Sequence, residues 1–127
     1  MFELFERRRE HIDLVPAMSV SAYGKMAFNK PASDFLISRN WKYVVLFFDK
    51  ESKKIGIKAP KNLNEVKYKL TYHGGSYFVF NSPAFVKFIQ YPVKGTHQFP
   101  ATWNKEDEMY IVDLLEAYYK TNIELEK

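Results

Sequence analysis

The residues of this chain best suited to chemistry are cations placed beside aromatic rings. Arg7, Arg8 and Arg9 form a run near the start, Tyr23 and Lys25 flank Gly24, and Lys53 and Lys54 adjoin in a polar stretch that begins at Asp49. Such cations on surface segments contact phosphate oxygens, and a tyrosine beside them offers a face on which a base can stack. Each also has an ordinary use. A tyrosine packs across its own hairpin, and lysines keep a β-rich surface soluble and its strand edges unpaired.

The distribution of charge says more than its formal sum of +4. Residues 39–72 hold nine basic and three acidic groups, a local +6, whereas residues 104–127 hold three basic and seven acidic ones, a local −4. A basic surface draws polyanions by releasing their counterions, so DNA or RNA is a candidate partner. A protein partner, or a second copy of the chain meeting basic middle with acidic end, is the competing one. Tyr118 and Tyr119 suit such a contact, because tyrosine offers large area with few rotatable bonds. They serve equally as packing residues of a final helix.

Other chemistries lack their residues. The chain has no cysteine, which removes disulfides, thiolate metal sites and cysteine nucleophiles together and fits a reducing compartment. His11, His73 and His97 stand at no metal-ligand spacing. Gly74-Gly75 lacks the lysine and hydroxyl residue of a phosphate loop and reads as a tight turn between strands. Glu106, Asp107 and Glu108 lack the regular spacing of a calcium loop and read as a solvated turn. No serine sits in a nucleophile elbow, and no acid–base pair follows from spacing. A non-enzymatic protein without metal or cofactor is therefore the expectation. Charges interrupt the opening MFELFERRRE too early for a signal-peptide core, and no apolar run nears the ~18 residues of a membrane span. A cytoplasmic location without membrane association is expected.

The elements that must position these residues follow from periodicity. With 46% hydrophobic residues over 127 positions, a single domain with one core is expected. Residues 18–22 and 25–28 alternate around Gly24 as a hairpin, and Asn29-Lys-Pro-Ala32 then caps and opens a short helix over 31–38. Residues 41–48 are rich in β-branched and aromatic side chains, and the Asp49 turn leads into an alternating strand at 54–58. The second half repeats this grammar. Phe28, Asn29, Pro31 and Ala32 recur at Phe80, Asn81, Pro83 and Ala84, 52 positions later, and Asp49-Lys-Glu matches Asn104-Lys-Glu at a shift of 55. The extra three residues fall around Tyr91 to Thr96.

These patterns predict an α+β, mainly antiparallel fold. Two pseudo-twofold-related ββαββ halves, at 18–59 and 68–114, would form one barrel-like or sandwich-like core with short flanking helices, since neither half can bury its apolar face alone. The expected inward set is Val20, Phe28, Phe35, Val44, Leu46, Ile55, Ile57, Phe80, Phe85, Phe88, Ile111 and Val112. Residues 1–14 form an amphipathic turn or an arm. Residues 105–120 fit either one helix or, as the repeat favours, a strand at 109–114 and a helix over 114–121.

Two resemblances attach to these residues. In the order RRR, SVSAYGKMAFNKPA, VVLFFDKESKKIGIKA, VFNSPAFVKF and EMYIVDL, most of the chain resembles a family of small bacterial proteins that carries no assigned activity. Residues 18–59 resemble the swapped-hairpin DNA-binding domain of AbrB-type transition-state regulators, with Gly24-Lys25 in place of that family's glycine–basic pair and Asp49 at its hairpin turn. Asn29 stands where that family favours proline, and Ala32, Ser33 and Asp34 replace its arginine-rich helix. The resemblance implies nucleic-acid binding of a regulatory kind, with Arg7, Arg8, Arg9, Tyr23, Lys25, Lys53 and Lys54 as the contact residues expected from charge and placement.

Overall fold

A computed structural model describes residues 15–62, 64–90 and 95–116, together with the backbone of Tyr119 and Lys120. Among these residues the chain runs β1 (Ala17–Ser21), β2 (Lys25–Phe28), α1 (Lys30–Ser38), β3 (Tyr43–Asp49), β4 (Lys54–Lys58), β5 (Tyr68–Lys69), β6 (Thr71–His73), β7 (Tyr77–Asn81), α2 (Pro83–Phe88), β8 (Thr96–Asn104), β9 (Met109–Asp113) and β10 (Tyr119–Lys120). All recorded strand pairs are antiparallel, in the order β5-β3-β4-β9-β8-β1-β2-β7-β6, with β10 on β8. Only Leu70 separates β5 from β6, so the two ends of this path meet and the sheet is a nearly closed barrel. None of the described helices is long and apolar enough to cross a membrane.

Two ladders join the early strands to the late ones. Strand β2 pairs with β7 through Lys25↔Asn81, Met26↔Phe80 and Ala27↔Val79. Strand β4 pairs with β9 from Lys54↔Asp113 to Lys58↔Met109, with Gly56↔Ile111 in the middle. Inside the barrel lie Met18, Val20, Met26, Phe28, Ile55, Ile57, Phe80, Tyr110 and Val112, all nearly inaccessible to water. Aromatic rings fill one end: Phe28 meets Phe80 at 6.0 Å and Tyr110 at 5.9 Å between centroids, and Phe35 of α1 meets Trp103 at 4.8 Å. Such offset and tilted pairs suit the ring quadrupoles.

The first strand–helix junction depends on one side chain. Asn29 Oδ1 accepts from the N–H of Ala32, capping α1, and from the N–H of Ala17, while its Nδ2 donates to the Val15 carbonyl. One asparagine therefore ties the helix start to the start of β1. Ser33 ties the helix to the second half, because its Oγ donates to the Phe28 carbonyl and accepts from the Phe78 N–H at 2.9 Å. At the second junction the expected cap at Asn81 is corrected: Asn81 is the exposed last residue of β7, and Ser82 Oγ caps α2 through the Phe85 N–H.

Three further expectations change. The later cap rotates α2 by one position, about 100°, so Phe85, Val86 and Ile89 turn inward and Phe88 is left 71% exposed. Val112 and Ile111 cannot both face the core because neighbouring strand residues point to opposite faces; Val112 is buried and Ile111 lies half-buried on the other face beside Gly56. The helix expected over 114–121 is not formed: Leu114 and Leu115 make a turn, and Tyr119–Lys120 continues as β10 against Gln98 and His97. Pairing along the long β8 satisfies more backbone groups there than one short exposed helix would. The arm at 1–14 and the connection at 91–94 lie outside the described residues.

Two predictions follow from the packing. Asn29→Ala should lose about 2–3 kcal/mol in urea unfolding, from one cap and two tertiary hydrogen bonds, whereas Asn81→Ala should stay within about 0.5 kcal/mol; equal losses would contradict the unequal junctions. Burial pushes the Tyr110 phenol up to about 12. An acid whose pKa is higher folded than unfolded, where it is about 10, stabilises the fold fully below pH ~10 and loses that contribution as pH rises through its folded value. The urea midpoint should therefore fall between pH 10 and 12 more steeply in the wild type than in Tyr110→Phe, and identical slopes would refute this.

Candidate nucleic-acid interface

The β1–β2 tip is held rigidly. Gly24 N–H donates to the Ser21 carbonyl at 3.0 Å, and Ser21 Oγ accepts from the N–H groups of Tyr23 and Lys25. Gly24 has φ +106°, and a Cβ there would sit 2.6 Å from the backbone of Pro83, so the tip is pressed against the start of α2. The Ser82 N–H donates to the Gly24 carbonyl as well. Tyr23 is 83% exposed, so it does not pack across its hairpin, and Lys25 beside it is exposed too.

The β3–β4 turn is equally ordered. Lys53 N–H closes it on the Asp49 carbonyl at 2.8 Å, and Lys53 itself has φ +58°. Asp49 Oδ1 accepts from the N–H groups of Glu51 and Ser52. Ser52, through side chain and backbone, and then Glu51 hold the Asp49 carboxyl below its ordinary value, with the Lys54 charge adding to the effect. Lys53 and Lys54 are exposed, and Asp113 stands opposite Lys54 in the ladder.

These two sites are separate places. Between β4 and β2 the sheet interposes β9, β8 and β1, and adjacent strands lie ~4.8 Å apart. The structure thus brings Tyr23 with Lys25 and Lys53 with Lys54, and does not bring the pairs together. Arg7, Arg8 and Arg9 lie outside the described residues.

A third place was missed from the sequence. Helix α1 ends in a Schellman turn: Trp41 N–H donates to the Leu36 carbonyl, Asn40 N–H to the Ile37 carbonyl, and Asn40 takes φ +60°. The turn delivers Trp41, Lys42 and Tyr43 to the start of β3, where Tyr43 pairs with Lys69 and the Leu70 N–H donates to the Lys42 carbonyl. An open groove of about 480 Å³ results, lined by Ile37, Trp41, Lys42, Tyr43, Lys69 and Phe78 among others, with no carboxylate in its lining. Lys42, Tyr43 and Lys69 are exposed, and Lys67 Nζ lies 5.9 Å from the centre of the Tyr43 ring. The signal available in the sequence was the aromatic–basic run Trp41-Lys-Tyr43 at a strand start, but its partner Lys69 is distant along the chain.

The remaining charges offer less. A second groove sets Lys58 and Lys61 among Glu106, Asp107 and Glu108, where opposite charges offset one another. Arg39 lies over the rings of Phe35 and Trp103, at 5.2 and 4.6 Å, and is engaged in packing. Among the described residues no three of His, Asp and Glu come together as metal ligands.

Comparison with known proteins gives no relative. No family model, no curated protein and no solved structure matches this chain. Its chemistry must be argued from its own geometry.

Proposed function

We propose that this protein binds nucleic acid without catalysing a reaction, in a regulatory role. The observation that carries the reading is a set of exposed lysines along β3, β5 and the connections beside them. Lys42, Lys50, Lys53 and Lys69 are exposed on β5 and the connections beside β3, and none of them takes part in an ion pair among the described residues, while the exposed Lys54 stands between Asp49 and Asp113 in its two ladders. Lysines placed in this way neutralise phosphates at little desolvation cost. The likeness of residues 18–59 to AbrB-type domains supports the same reading, with Lys53 and Lys54 as phosphate contacts and Tyr23 and Lys25 as a separate contact point.

The architecture belongs to the same proposal: the two halves are copies of one ββαββ unit. A shift of 52 makes Ala27 and Val79 equivalent, and they pair with each other in β2–β7. A shift of 55 makes Gly56 and Ile111 equivalent, and they pair with each other in β4–β9. Equivalent residues meet in this way where a twofold axis passes through a ladder.

A second reading, a protein-interaction module, is favoured by one feature. The outer face of β3, β4 and β9 carries Phe47, Met109 and Ile111 around Gly56, and Phe47 is 48% exposed. Sedimentation of the wild type and Phe47→Ser would read self-association through this face.

The test of nucleic-acid binding is its salt dependence. Random duplex and single-stranded DNA should bind at low ionic strength and weaken as salt rises. Lys53→Ala with Lys54→Ala should lower the slope for duplex by about 2 while stability stays within about 0.5 kcal/mol. No binding to either DNA at low salt would end the proposal.

A further inference from the structure

We infer that the groove between the end of α1, the start of β3 and β5 is a binding site for single-stranded nucleic acid, taking a base against its aromatic wall and the adjoining phosphates on Lys42 and Lys69. This rests on the nucleic-acid reading above and deepens it. The argument starts from where the two halves differ. By the shifts of 55 and 52, the counterparts of Lys42, Tyr43 and Lys69 are His97, Gln98 and Ala17. There β1 and β8 form a ladder of five residue pairs in a register displaced by two, with Gln98 opposite Ser19 and Ala17 opposite Pro100; Gln98 also pairs with Tyr119, and His97 and Ala17 are buried. In the first half the matching ladder is only Tyr43↔Lys69 and Val44↔Tyr68. What is sealed by backbone pairing in one half is left open in the other.

The residues exposed by that opening have one chemistry. Trp41, Tyr43 and Phe78 supply π-faces, Lys42 and Lys69 supply ammonium groups, and the lining contains no carboxylate that would repel phosphate. Stacking on such rings accepts any base, and flanking lysines follow the backbone. The volume of about 480 Å³ lies within the ~300–1,000 Å³ of small-ligand pockets, which is room for one unpaired base. Its framework is fixed before binding, by the Schellman turn at Asn40 and by the hydrogen bond from Leu70 N–H to the Lys42 carbonyl.

The experiment uses the full chain with fluorescently labelled oligothymidylate and a duplex of equal length, at two salt concentrations. The expected result is at least tenfold preference for the single strand. Lys42→Gln with Lys69→Gln should lower its salt slope by about 1.4, at ~0.7 per phosphate. Tyr43→Ala should weaken binding roughly fivefold or more, with Tyr43→Phe restoring it, as loss and return of one stacked base require. Photocrosslinking of the wild type with a bromodeoxyuridine oligonucleotide reads the site without any variant, and should label the Trp41–Tyr43 segment. Single-strand binding that ignores these variants and crosslinks elsewhere overturns the groove alone. Equal or tighter duplex binding that is weakened by the Lys53 and Lys54 changes also overturns the groove and keeps the broader reading. Binding of neither DNA overturns both.

Discussion

The structure depends on two ladders in which the early part of the chain pairs with the late part. A free hairpin is marginal in water, and here the β1–β2 and β3–β4 hairpins would each expose an apolar face. Pairing β2 with β7 and β4 with β9 closes those faces over a shared interior. Met26, Phe28 and Phe80 are buried around the first ladder, and Ile55, Ile57, Tyr110 and Val112 around the second. At Gly56 the second ladder is close to its neighbours, since a Cβ there would meet Met109 Sδ and the methionine side chain would have to move aside. Helix α1 then covers what the strands leave open through the contact of Phe35 with Trp103, and α2 through the inward Phe85, Val86 and Ile89.

The two strand–helix junctions are fastened differently. One junction is fastened by Asn29, with its cap and two tertiary hydrogen bonds, and the other by the local cap of Ser82. One long strand is sealed by β1 and β10, while the other has two residue pairs with β5.

Local chemistry made much of the fold legible. Alternation around Gly24, the cap and proline of Asn29-Lys-Pro31, and the β-branched run after Trp41 each define an element within its own few residues. What failed had one local and one distant cause. Ser82 outcompeted Asn81 as a cap, which turned Phe88 outward, and β10 formed because β8 offered an edge that no local pattern announces. The site was legible in the same measure: Lys53, Lys54, Tyr23 and Lys25 are exposed as their turn positions imply, but the groove needs Lys69 brought beside Tyr43 by strand pairing.

Native-state amide hydrogen exchange tests the central claim, that the two parts of the chain form one interlocked core. Interlocking ladders can open only together, so the amides of Met26, Ile55, Phe80 and Val112 should exchange with a common free energy equal to that of global unfolding. Residues 17–58 exchanging as a group through an opening that leaves residues 71–113 protected would contradict it.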